Sequence, residues 1–117
     1  KYQVEVVPGV TSITACAASA GMPLAARNER LTVLPGPLPA DELKSRIDGA
    51  ESVVIMKVGR HMAKIRGVID SLGLTDRAVY VERATLPQEF VVPLVDAPQT
   101  APYFSMILLT KGADPWL

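Results

Sequence analysis

The chain has 117 residues, 49% of them hydrophobic and 21% charged, which argues against disorder and suits one globular domain. Twelve Lys and Arg balance twelve Asp and Glu, so the sequence lacks the positive surplus that nucleic-acid or acidic-membrane binding requires. A membrane span needs about 20 apolar residues, and every apolar run here is much shorter. With one cysteine and no signal-peptide pattern, we expect a cytoplasmic protein that binds neither nucleic acid nor membrane.

The first third of the chain reads as strand, helix and strand. A β-branched run over 2–7 predicts a strand, and the chain begins on it directly, which indicates a piece of a longer protein. The alanine-rich residues 13–20 predict a helix, whose first amides the hydroxyl of Thr11 or Ser12 can cap. A second strand is predicted at 30–34.

The middle third reads as helix, strand and helix. Pro39 suits the first turn of a helix, because proline has no amide to lose there. The apolar run Val53-Val54-Ile55-Met56 lies within a predicted strand over 51–58 and is typical of a strand buried on both faces. A third helix is predicted between Gly59 and Gly73, because apolar residues recur there on one face at helical spacing.

The last third contains three predicted strands, at 78–82, 90–95 and 104–109, and Pro93 makes the second of them an edge strand. Strands that alternate with helices indicate an α/β architecture. We therefore predict a mixed, mostly parallel sheet flanked by helices, with some antiparallel pairing at the end of the chain.

Two residues with catalytic potential lack the sequence partners that catalysis needs. His61 begins an amphipathic helix, and no pattern links it to Ser12 or Cys16 as base to nucleophile. We interpret His61 as a solvent-exposed or capping residue and Cys16 as a small buried one. One cysteine and one histidine cannot by themselves form an ordinary structural zinc site, so no metal is expected.

Three predicted strands are followed by residues suited to contact a ligand. Thr11 and Ser12 follow the first strand, Met56 ends the apolar run V-V-I-M, and Glu82-Arg83-Ala84-Thr85 ends the strand at 78–82. Ligands of parallel α/β sheets gather beyond the carboxyl ends of strands, where helix starts offer free amides. We predict that these residues line one cleft. A capped helix, a core methionine and an ordinary turn remain the alternative.

Four motifs in chain order resemble the tetrapyrrole methylases. The run V-V-P-G-V-T-S from Val6, followed by A-x-A-A-S-A-G-M-P-L-A, closely resembles the signature of that family. The runs E-R-L-T-V-L-P-G from Glu29, V-V-I-M-K-V-G-R from Val53 and Y-V-E-R-A-T from Tyr80 extend the likeness over nearly the whole chain. Within the family, these runs resemble most the members that methylate C20 of precorrin-2.

The resemblance implies an S-adenosylmethionine-dependent C-methyltransferase with two α/β domains, which holds the cofactor between them and forms a homodimer. By this likeness, 9–117 would be the C-terminal domain and 1–8 an interdomain strand or linker. The N-terminal domain, which carries the other half of the cofactor site, has no counterpart in these residues. The resemblance therefore implies that the isolated domain is inactive.

By position, the resemblance assigns cofactor contacts to Thr11, Ser12, Met56 and Ala84 of this sequence. Precorrin-2 carries many carboxylates, so the basic residues Arg30, Lys57 and Arg60 are candidates for holding the substrate, with ordinary solvated charges as the alternative. No residue is assigned as a general base.

Two other readings stay open from the sequence. One is a methylase of the same architecture that acts on another ring position, on the cobalt-containing counterpart, on diphthamide or on ribosomal RNA. The other is a non-catalytic α/β assembly domain, in which the three strand-end motifs would be scattered and would not converge.

Overall fold

The computed structural model of the protein describes residues 2–25 and 28–112. Within them the chain forms three α-helices, five β-strands and three short 3₁₀ turns. The helices and strands are, in chain order, α1 (Ser12–Ala20), β1 (Leu31–Pro35), α2 (Ala40–Asp48), β2 (Ser52–Met56), α3 (Met62–Ser71), β3 (Ala78–Glu82), β4 (Phe90–Pro93) and β5 (Ser105–Thr110).

The strands form one mixed sheet in the order β1-β2-β5-β3-β4, and the α/β class is confirmed. The prediction of a mostly parallel sheet is wrong. Among the described residues only β1 and β2 pair in parallel, and the other three pairings are antiparallel. The cause is β5, which returns from the end of the chain and inserts between β2 and β3. Strand alternation along the sequence cannot reveal this insertion, because pairing joins residues far apart in the chain.

One face of the sheet is covered by α2 and α3 and holds the larger apolar core. These helices pack there because their apolar residues recur at three- and four-residue intervals. The side chains that fill this core include Leu43, Ile47, Ile65, Ile69, Tyr80, Ile107 and Leu109. Pro39 lies one residue before α2 and not in its first turn, where its extended ψ of 149° precedes the helix.

The opposite face is covered in part by α1, as the alanine-rich sequence allows. The N-cap prediction is confirmed for Thr11, whose Oγ1 accepts a hydrogen bond of 3.3 Å from the amide of Thr14. Gly21 ends the helix with a left-handed φ of 65°, which a glycine adopts without strain. Cys16 is buried, as expected, and this burial raises the pKa of its thiol above the ordinary value.

The prediction of a strand over 2–7 is wrong for the structure of this chain. Residues 2–10 form neither helix nor strand, and the five-stranded sheet does not include them. The apolar side chains in this segment are 77–97% exposed, namely Tyr2, Val4, Val6, Val7 and Val10. A strand exists only when a neighbour supplies its backbone hydrogen bonds, and no described strand does so here.

The other predicted helices and strands are present, with shifts of a few residues at their ends. In particular, β4 is an edge strand that pairs, among the described residues, only with β3, as Pro93 indicates, since a proline cannot donate to a second neighbour. No helix in the described part of the chain is long and apolar enough to cross a membrane.

Candidate functional site

The carboxyl ends of three strands lie together at one end of the sheet. β1 and β2 are parallel, and β3 has the same direction because both β2 and β3 run antiparallel to β5. Their last residues, Pro35, Met56 and Glu82, therefore lie at one edge together with Ser105, the first residue of β5. We call this the carboxyl edge.

Three residues with a left-handed backbone conformation lie at the carboxyl edge. Lys57 follows β2 with a φ of 55°, and Arg83 and Thr85 follow β3 with φ values of 49° and 68°. These three are the non-glycine residues of positive φ in the described ranges. Such conformations cost about 1–3 kcal/mol each and gather at ligand sites, where surrounding structure holds them. Sequence reasoning missed them, since nothing in their residue types signals the conformation.

The structure brings Met56 and Ala84 together with α1. Both residues are half-buried and pack against the cluster of Cys16, Ala17, Val81 and neighbouring side chains on the α1 face. They thus line the same face from the end of β2 and from the turn after β3.

Thr11 and Ser12 lie at the amino end of α1 and are exposed. The first-turn amides of a helix have no carbonyl partner within the helix, so they can meet polar ligand atoms. Beyond the cap bond to Thr14, the Oγ1 of Thr11 lies 3.2 Å from the Thr14 hydroxyl.

A carboxylate joins the other end of α1 to the carboxyl edge. Oε1 of Glu89 accepts one hydrogen bond of 2.6 Å from the Ser19 hydroxyl and another of 2.7 Å from the amide of Thr85. We call this contact the Glu89 clasp. It fixes the turn that carries Ala84 against α1, and no sequence motif indicated it.

Glu89→Gln should remove an acid-sensitive part of the stability. The hydrogen bonds from Ser19 and then from the Thr85 amide lower the pKa of Glu89 below its ordinary 4.5. A lowered folded-state pKa stabilises the protein above the unfolded pKa, and this contribution is lost as the pH falls through the folded pKa. We expect wild type to exceed E89Q in unfolding free energy by a constant margin above about pH 5, and by a shrinking margin below about pH 4.

Urea unfolding of wild type and E89Q between about pH 7 and 3 measures the difference in their unfolding free energies. Glu5→Gln, in the exposed segment 2–10, is the matched control and should show no such dependence. If the difference in unfolding free energy between wild type and E89Q were the same at every pH, the assignment of the Glu89 hydrogen bonds would be wrong.

A buried polar network lies directly under the carboxyl edge. Tyr80 is fully buried, and its hydroxyl donates a 2.9 Å hydrogen bond to Oε1 of Glu82. The second oxygen of Glu82 accepts from Nη1 of Arg83 at 2.7 Å. Beside them, the backbone amide of Arg83 donates to the carbonyl of Phe104 at 2.7 Å, and Phe104 stacks edge-to-face with Tyr103 at 5.1 Å.

The family model for tetrapyrrole (corrin/porphyrin) methylases matches residues 1–97 of this chain. The chain belongs to the tetrapyrrole methylases. This family consists of S-adenosylmethionine-dependent methyltransferases, and the match covers every residue assigned above to cofactor or substrate.

The match extends to individual methylases. The precorrin-2 C(20)-methyltransferase of Sinorhizobium sp is 43% identical over 97% of this chain and 47% of its own length. The cobalt-precorrin-2 C(20)-methyltransferase of Salmonella typhimurium is 38% identical over 92% of this chain and 46% of its own length. This chain therefore spans about half the length of these two curated relatives.

A solved methylase structure has the same fold. The uroporphyrin-III C-methyltransferase of Thermus thermophilus, solved with S-adenosylhomocysteine, superposes with a TM-score of 0.60 at 27% identity. The superposition covers 89% of this chain and 51% of that structure.

The three substrate candidates of this methylase chain do not share one edge. Lys57 and Arg60 are exposed at the carboxyl end of β2. Arg30 precedes β1 at the opposite edge, where its Nε lies 3.8 Å from Oε1 of Glu51 and its side chain is 90% exposed. The structure thus places Lys57 and Arg60, but not Arg30, just after the carboxyl end of β2.

His61 occupies the N-cap position of α3, yet its side chain makes no capping hydrogen bond. Desolvation, followed by the charges of Lys64 and Arg60, lowers the pKa of its imidazole. The side chain is therefore predominantly neutral at pH 7.

A concave region lies away from the carboxyl edge. It is an open depression of about 530 Å³ on the α2 side of β1, lined by Thr32, Asp41, Glu42, Ser45 and Arg46 among others. Its side chains are ordinary surface groups, including the 3.9 Å ion pair of Arg46 with Glu42. None of the predicted cofactor residues lines it.

Proposed function

We propose that the protein containing this chain transfers a methyl group from S-adenosylmethionine to C20 of precorrin-2, giving precorrin-3A in cobalamin biosynthesis. The observation that carries this proposal is the 43% identity with a precorrin-2 C(20)-methyltransferase over 97% of the chain. The cobalt-precorrin-2 enzyme of Salmonella, at 38% identity, supports the same ring position.

The residues at the α1 face suit one side of S-adenosylmethionine. Thr11 and Ser12 offer hydroxyls and first-turn amides to the polar parts of the donor. Met56 offers a half-buried apolar surface, and Ala84 is small enough for the ligand to approach its backbone. When bound, the donor supplies the electrophilic methyl group of a sulfonium.

The chain's own contribution is to position the reactants and exclude water. Lys57 and Arg60 meet substrate carboxylates at the carboxyl edge, where both side chains are exposed. The Glu89 clasp holds the Ala84 turn in place against α1.

The rest of the protein completes the site. The chain spans about half of its C20-methylating relatives, so we expect an N-terminal domain to supply the other half of the cofactor contacts. The exposed apolar side chains of segment 2–10 support this division, since contact with another domain would cover them. We expect a homodimer of the full-length protein and no methylation by the isolated domain.

The test uses the full-length protein with S-adenosylmethionine carrying a ¹³C-labelled methyl group. With precorrin-2, we expect one new methyl resonance, bonded to C20, and calorimetry should show binding of S-adenosylhomocysteine. Absence of cofactor binding would overturn the methyltransferase proposal. A label at a different carbon would instead assign the protein to another ring position.

A further inference from the structure

We propose that Arg83 binds a carboxylate of the tetrapyrrole substrate, and that Tyr80 and Glu82 position its guanidinium for this contact. The inference rests on the proposed function and adds a substrate residue that sequence comparison did not assign. Its position in the turn after β3 places it at the carboxyl edge, next to Ala84.

The backbone of Arg83 is held in an unusual conformation. Its φ of 49° is left-handed, and its amide donates a 2.7 Å hydrogen bond to the Phe104 carbonyl. This conformation is intrinsically unfavourable for arginine and is adopted more readily by glycine or asparagine. The turn therefore holds this side chain at the edge at a conformational cost.

The side chain of Arg83 is oriented from below by a buried carboxylate. Glu82 is 9% exposed, and both of its oxygens are used, one by Arg83 at 2.7 Å and one by the Tyr80 hydroxyl at 2.9 Å. Burial, followed by the hydrogen bond to Glu82, raises the pKa of Tyr80, so its hydroxyl keeps the proton that it donates. A guanidinium fixed in this way loses less conformational entropy when a ligand binds.

Arg83 retains donors for a ligand. A guanidinium has five N–H groups, and within the described ranges Nη1 makes the one ion pair of this side chain. The side chain is 40% exposed, so its remaining donors can form the paired hydrogen bonds that carboxylates accept from arginine.

The surroundings favour a flat ring that carries carboxylates. Tyr103 and Phe104 are 83% and 65% exposed and form an edge-to-face aromatic surface beside Arg83. Lys57 adds positive charge at the same edge.

The test compares Arg83→Gln and Arg83→Lys in the full-length protein, measuring KM for precorrin-2, kcat, and the affinity for S-adenosylhomocysteine. Loss of a charge-assisted hydrogen bond predicts a KM rise of about tenfold or more for R83Q, with cofactor affinity within about twofold of wild type. R83K keeps the positive charge but not the paired N–H donors of a guanidinium. Its KM for precorrin-2 should therefore lie between those of wild type and R83Q. Arg46→Gln, at the exposed ion pair of α2, is the matched control and should leave all three values unchanged.

Tyr80→Phe tests the positioning role with one atom removed. It should raise KM for precorrin-2 by about threefold while kcat stays near wild type, since it loosens Arg83 without deleting it. Circular dichroism checks that each variant is folded, and if R83Q is unfolded, R83K and Y80F decide the question through the same KM measurement.

The outcomes separate the two proposals. If wild type neither binds S-adenosylhomocysteine nor methylates precorrin-2, the proposed function is wrong. If wild type is active and the folded Arg83 variants have an unchanged KM, only the assignment of Arg83 is wrong. An equal loss of cofactor and substrate affinity would likewise overturn it, because that result indicates a purely structural ion pair.

Discussion

Leu109→Ala should lower the free energy of unfolding by about 2–5 kcal/mol, whereas Leu31→Ala should lower it by less than about 1 kcal/mol. Both changes remove the same atoms from a strand. Leu109 lies in β5, between Val53 of β2 and Ala78 of β3, and is 2% exposed. Leu31 begins the edge strand β1 and is 37% exposed. The difference arises because truncation at a closed site loses apolar burial and also leaves a cavity.

Urea unfolding of the two leucine variants beside wild type measures this difference through the transition midpoint. The comparison tests the place of β5 in the sheet directly. If the two variants were destabilised equally, β5 would not be a central strand and the topology described here would be wrong.

Gly36→Ala should destabilise the protein by about 1–3 kcal/mol, although glycine-to-alanine changes are often neutral or favourable. A Cβ at position 36 would lie 2.5 Å from the backbone oxygen of Lys57 and 3.1 Å from Cδ1 of Ile65. The amide of Gly36 also donates a 2.7 Å hydrogen bond to the Met56 carbonyl. The variant must therefore displace the end of β2, and we expect weaker binding of S-adenosylhomocysteine by the full-length protein.

Gly67→Ala is the matched control for this prediction. Gly67 lies in the interior of α3, and a Cβ there meets no atom within 4 Å apart from its chain neighbours and the backbone of its own helix. Alanine is the better helix former, so this variant should gain about 0.5–1 kcal/mol. Thermal unfolding of both variants gives the sign of each change, and a gain in stability for G36A would contradict the close approach of β1 to the end of β2.

Local chemistry made α1 and β4 predictable from the sequence. Thr11 and Gly21 set the two ends of α1 through hydrogen bonds and a left-handed turn that involve only nearby residues. Pro93 restricts β4 to the edge of the sheet because its missing amide is a property of the residue itself. Predictions of this kind need no knowledge of distant neighbours.

Contacts between distant residues account for what was missed at the candidate site. Ser19 and Glu89 are 70 positions apart, and their hydrogen bond depends on how α1 packs beside β3. The interaction of Arg83 with Phe104 likewise depends on β5 lying next to β3. Neither pair leaves a pattern in the order of residues.

The sequence by itself determined the helices, most of the strands and membership of the methylase family, because caps, apolar spacing and motifs are short-range properties of the chain. Only the tertiary structure decided the direction and neighbours of β5, the unpaired state of residues 2–10 and the left-handed turns at Lys57 and Arg83. The physical reason is that a strand and a strained turn exist only through partners that the fold supplies, and those partners lie far away along the chain.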